Sequence, residues 1–146
     1  MNTKNFLLGG IVGGIVYFLL GWLFYGNLFA GYFKDHPGTA MGVERAMDQM
    51  VWWALILGNL IAGFLFAYIF SKSGVATLAS GLVTGAVLGL LMSCSMDLIM
   101  FATTNIYSKH ILMADVGIST VMSAIAGAAI GAVMGMGNKG TVTTTA

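Results

Sequence analysis

Apolar residues in this chain fall into four long blocks, at residues 6–33, 51–70, 75–101 and 116–136. Each approaches or exceeds the roughly 20 apolar residues a helix needs to cross a bilayer. The pattern predicts an all-α, integral membrane four-helix bundle occupying residues 1–136. The first block is longer than a bilayer requires, which implies tilt or a helical extension beyond it. Pro37 and Gly38 end that block, because proline disfavours helix at the residue before it and glycine relaxes the turn. Lys4 before an apolar run also fits the opening of a signal peptide. The run is much longer than an h-region and lacks a clear small-residue cleavage site, so it reads as a retained span.

The connections are short and polar. Residues 39–50 carry Glu44, Arg45 and Asp48 among Met41, Val43, Ala46, Met47 and Met50, the composition of an amphipathic helix at the interface. Trp52 and Trp53 follow as interfacial anchors. Ser71-Lys72-Ser73-Gly74 is so short a link that the second and third spans are expected to be antiparallel neighbours. Lys109 and His110 mark the third connection, and residues 137–146 read as a flexible polar tail. Four spans put both termini and Lys72 on one side. Lys4, Lys72 and Lys139 face Lys34, Arg45 and Lys109 on the other, a tie in basic residues. The side of the termini carries no acidic residue and is taken as cytoplasmic, in a bacterial cytoplasmic membrane.

Small residues recur at four-residue intervals: Gly9/Gly13 and Gly10/Gly14; Ala54, Gly58 and Ala62; Gly81, Gly85 and Gly89; Gly127, Gly131 and Gly135. This spacing gives each helix a face on which backbones can approach closely, within the chain or between copies in a homo-oligomer. Gly10/Gly14 and Gly81/Gly85 stand 71 residues apart, a weak echo of a duplicated helical hairpin, or chance among glycine-rich spans.

Composition narrows the chemistry. With 58% hydrophobic and only 8% charged residues, the chain lacks the roughly one-quarter charged content of a soluble domain. A net charge of +1 supports neither nucleic-acid binding nor a polybasic lipid patch. The single cysteine, Cys94, excludes a disulfide within the chain and a CxxC pair. No GxSxG, GxxxxGK[ST] or HExxH signature is present, so no familiar enzyme class is indicated.

Asp97 is the leading candidate site. A carboxylate at mid-membrane costs roughly 2.5–3.5 kcal/mol, less toward a helix end, and such groups face the bundle or a wet cavity. Ser93, Cys94 and Asp97 share a helical stripe. Asp97 reads either as a proton-titrating or ligand-binding carboxyl, or as a structural hydrogen-bonder near the interface. Asp115 suits the positive end of the fourth helix, as a cap, or the same pocket. Asn59 is placed to hydrogen-bond across helices. Tyr17, Trp22, Tyr25 and Asn27 give the first span a polar-aromatic half, as a belt or, through Trp22 and Tyr25, as lining beside Asp97. His36, His110, Glu44 and Asp48 fall on the same side as Asp97 and Asp115 but at no metal-ligand spacing. Met92, Met96 and Met100 beside Cys94 read as packing rather than copper ligands. Neither cofactor nor metal is expected.

Gly21-Trp22-Leu23-Phe24-Tyr25-Gly26-Asn27-Leu28-Phe29 resembles the Gly-x-x-aromatic-Tyr-x-x-x-Phe pattern of small four-span bacterial proteins catalogued as domain of unknown function 1761. Met113-Ala114-Asp115-Val116-Gly117 resembles that family's Asp-containing entry to its last helix, and Gly127-Ala128-Ala129-Ile130-Gly131 its small-residue finish. Phe24 stands where the family commonly has tryptophan. The resemblance implies four membrane helices and no activity. On the placement of Asp97, the expected role is non-enzymatic: binding or moving a small solute, lipid or proton near that residue. The alternative is a subunit docking through glycine-lined faces onto a larger membrane complex.

Overall fold

The computed structural model describes residues 2–136; the tail expected at 137–146 lies outside the described residues. Its elements are α1 (Thr3–Leu23), a π-helical segment (Phe24–Leu28), α2 (Ala30–Asp35), a single 3-10 turn (Met47–Gln49), α3 (Trp52–Ser73), α4 (Leu78–Thr103) and α5 (Lys109–Gly135). Four helices are long and apolar enough to cross a membrane: α1 with its π-helical continuation, α3, α4 and α5. The chain is an all-α, multi-pass membrane protein.

Local chemistry sets the helix ends. The Asn2 side chain accepts from the Lys4 amide at the start of α1. Gly74 takes the left-handed conformation (φ +71°) that ends α3, a position glycine occupies without steric cost. Thr77 and Ser80 form a reciprocal capping box at α4, with serine where glutamate is usual. Ser108 caps α5 by accepting from the Ile111 amide.

One expectation fails here. Residues 39–50 form no amphipathic helix; only the turn at Met47–Gln49 is helical. Gly42 sits at φ +68°, and a 12-residue segment interrupted by such a residue lacks the length to overcome helix nucleation. Gly38 is also more than a turn-former: a Cβ there would collide with the carbonyl oxygens of Asn105 and Ile106. The Ala40 amide donates to the Asn105 carbonyl, and the Ser108 hydroxyl donates to the His36 carbonyl. The first loop is thereby tied to the α4–α5 connection.

Packing follows the small residues. The most extensive contacts are α4 with α5 and α1 with α3, then α1 with α5. Cβ atoms at Gly81 and Gly85 would run into the carbonyl oxygens of Gly127 and Ser123; at Gly131 and Gly135, into those of Thr77 and Ala76. Gly10 lies against the Phe64 ring and Gly14 against Leu60. Gly63, absent from the expected set, fits against the backbone of Gly10 and Gly14. The expected face on α3 is displaced accordingly: Gly58 is exposed, with nothing near a Cβ built on it. α3 and α4 are joined by a short turn, yet each makes its main contacts elsewhere, α3 with α1 and α4 with α5. The antiparallel neighbours are instead α1 with α3 and α4 with α5. A core of Tyr17, Phe66, Ala67, Phe70, Ile118, Met122, Ala126, Ile130 and Met134 fills the space among α1, α3 and α5.

A carboxyl pair lining a groove between the helices

Asp115, Ser119 and Ser123 recur every four residues on α5, so their polar groups form one stripe. α1 answers it with two phenols. The Tyr17 hydroxyl donates to Ser123 Oγ at 2.9 Å. The Tyr25 hydroxyl donates to Asp115 Oδ1 at 2.6 Å and lies 3.2 Å from Ser119 Oγ. Tyr25 belongs to the π-helical segment, where the Phe29 amide reaches back five residues to the Phe24 carbonyl at 2.8 Å. Such bulges re-aim side chains and cluster at functional sites.

From α4 the site receives Gly89, Ser93 and Asp97, again four residues apart. Gly89 is required by geometry, because a Cβ would collide with the Ser123 side chain that Tyr17 holds. The Ser93 hydroxyl donates to the Gly89 carbonyl at 2.8 Å, which satisfies its donor within the helix. Asp97 is 4% exposed, and its Oδ2 is buried without a hydrogen-bond partner. Buried polar atoms are ordinarily paired. Asp97 and Asp115 line the same space.

Both carboxyls line an open cavity of about 290 Å³, together with Tyr17, Ala62, Phe66, the exposed Met92 and Met96, and the α5 serines. It lies in the gap left where α3 and α4 separate. Asp115 also borders an outer vestibule of about 920 Å³, with Tyr25, Phe33, Lys34, Arg45 and Tyr107 in its wall. The Tyr25–Asp115 hydrogen bond thus stands at the boundary of the two spaces. In the α4–α5 connection, burial pushes the Tyr107 phenol up from its ordinary range, and the charges of Asp115 and then Asp97 add to this.

Of the expected site residues, Asp97, Ser93, Asp115 and Tyr25 converge here and the others do not. Trp22 is 55% exposed and lines neither cavity. Cys94 is half-buried and lines neither space. Asn59 donates to the Leu55 carbonyl of its own helix at 2.8 Å rather than across helices. Asp115 is no helix cap: α5 begins at Lys109, its cap is Ser108, and Asp115 lies in its second turn. Tyr17, Ser119 and Ser123 were not among the expected residues. The four-residue recurrence of Asp115, Ser119 and Ser123 is the signal that marks the serines.

His36 and His110 approach with ring centroids 5.0 Å apart, away from the carboxyl pair. Among the described residues no three His, Cys, Asp or Glu gather as metal ligands. No family model, curated protein or solved structure matches the chain.

Proposed function

We propose that this protein is a non-enzymatic, solute-binding protein of a bacterial cytoplasmic membrane, with both termini cytoplasmic. In this reading it takes up a small solute at the Asp97–Asp115 pair in exchange for a proton. The observation that carries it is the buried Oδ2 of Asp97, which has no hydrogen-bond partner, on a residue that lines the same space as a second carboxyl. A purely structural aspartate would be expected to use its oxygens in hydrogen bonds. Two carboxylates held together without a cation repel each other, and sharing a proton or binding cargo relieves that repulsion. Asp97 and Asp115 each lie six residues from the end of their helix nearest the α4–α5 connection, about 9 Å of helix rise. They therefore face each other at one depth. Membership of family 1761 belongs to this proposal on its motifs alone and adds no activity.

Proton counting in lipid nanodiscs tests the reading. Wild type is expected to release about one more proton per chain than Asp97→Asn between pH 5.5 and 9, since a coupled pair titrates as a unit. Equal counts from two folded proteins would sink the reading.

A second reading, an assembly subunit, is supported by the exposed Ala54 and Gly58 on α3. The α4 and α5 glycine faces are occupied within the chain and do not serve it. Gly58→Leu would then release the chain from a larger complex without unfolding it.

A further inference from the structure

We propose that the cargo of this site is a monovalent, lipophilic organic cation that enters from the bilayer between α3 and α4. The inference rests on the solute-binding reading above and names its substrate class.

Charge gives the first argument. Asp97 Oδ2 is a buried acceptor with no donor, and no Lys, Arg or His lines the inner cavity. Tyr25 already donates to Asp115, which leaves Asp97 as the free anionic contact and favours a cargo of one positive charge. Within this space an anion would meet two carboxyls and no Lys, Arg or His among the described residues.

The walls give the second. Ala62, Phe66, Met92 and Met96 supply apolar and polarizable surface, and Tyr17 packs edge-on to Phe66 with centroids 5.4 Å apart. Aromatic faces attract organic cations, and thioethers adapt to irregular apolar shapes. A transition-metal ion fits poorly, since no third His, Cys, Asp or Glu joins the two carboxyls among the described residues. A volume of about 290 Å³ lies at the small end of ligand pockets, enough for one aromatic ring with a compact ammonium head.

The route gives the third. Met92 and Met96 are 43% and 62% exposed on the α3–α4 side, so the cavity is bordered by side chains that also meet the acyl chains. A lipophilic cation concentrates in that phase. Arrival of one such cation at the pair displaces one proton, which conserves charge in the site. The ionisable groups around the pair are Tyr17 and Tyr25 from α1 and its π-helical continuation, Tyr107 from the α4–α5 connection and, across the vestibule that Asp115 also borders, Lys34 of α2 with Glu44 and Arg45 of the first loop. α3 contributes none to the cavity wall.

Radiolabelled benzyltrimethylammonium, binding to the full chain in nanodiscs, provides the test. It is a permanent aromatic monocation, and neopentylbenzene is its neutral isostere. Saturable binding at pH 8 is expected, weakened at pH 5.5 and unaffected by excess neopentylbenzene. Asp97→Asn should lower affinity by more than about 30-fold, the scale for removing one partner of a buried charge pair. Asp97→Glu, which keeps the charge, should retain measurable binding, and the helical circular dichroism of both variants checks folding. Competition by the neutral isostere equal to that of the unlabelled cation would overturn the proposal. So would absent binding. If the extra proton of wild type is still counted in that case, the substrate class alone is wrong; if it is missing, the carboxyl-pair reading fails with it.

Discussion

Tyr25 and Asp115 are joined by a 2.6 Å hydrogen bond, although 90 residues separate them in sequence. The bond ties the π-helical continuation of α1 to the second turn of α5, at the boundary between the outer vestibule and the inner cavity. A phenol held this way closes the space with its ring and fixes the direction in which Asp115 points.

Tyr25→Phe keeps the ring and deletes the hydroxyl that Asp115 and Ser119 share. Hydrogen bonds to charged groups contribute about 1.5–3 kcal/mol in water-soluble proteins, while cross-helix bonds in membranes average about 0.6 and reach about 1.7. A loss of about 1–2 kcal/mol is expected in a detergent–SDS unfolding titration. An unchanged unfolding curve would mean that the bond does not hold the helices together.

Tyr17 and Ser123 allow a cleaner measurement, because neither is a carboxyl. A double-mutant cycle of Tyr17→Phe and Ser123→Ala should show a coupling of about 0.5–1.7 kcal/mol. Additive effects would show that the 2.9 Å contact contributes nothing measurable.

Gly85 and Gly58 make a matched pair of substitutions. A methyl at Gly85 would strike the Ser123 carbonyl, backbone that cannot swing aside, so Gly85→Ala should destabilise by about 1–3 kcal/mol. Gly58→Ala meets open space and should leave stability unchanged within about 0.5 kcal/mol. The same unfolding titration reads both, and equal effects would refute the close approach of α4 to α5.

Gly38→Ala should act locally. The added methyl would push the first loop away from Asn105 and Ile106 and weaken its bonds to the α4–α5 connection. Faster hydrogen exchange is expected at the Ala40 amide, with the four long helices as protected as before. Slowed or unaltered exchange there would show that the loop is held by other means.

Much of this arrangement was legible in the chain. Block length and polarity gave four apolar helices, because a bilayer leaves few other ways to satisfy a backbone. Asp97 was legible as an expensive residue in an apolar run. What could not be read was which face each helix turns to which neighbour. Gly58 and Gly63 look alike in sequence, but only Gly63 meets another backbone, since Gly10 and Gly14 of α1 select it. The capping role expected of Asp115 failed because the polar opening of α5, from Lys109 onward, is helical although it breaks the apolar run. Tyr17 and the α5 serines were missed for a related reason: hydroxyls in membrane helices usually bond to their own turn, as Thr120 does to Val116. Their partners emerge only when α1 is laid against α5.

The π-helical turn at Phe24–Leu28 carries one more consequence. Its wide loop holds one residue beyond what a regular helix would accommodate, and this offsets the phase of everything after it relative to Tyr17. Excising a single residue there would leave the hydropathy of the span intact and let the stretch close into a regular helical turn, removing the slack that brings the Tyr25 hydroxyl to Asp115.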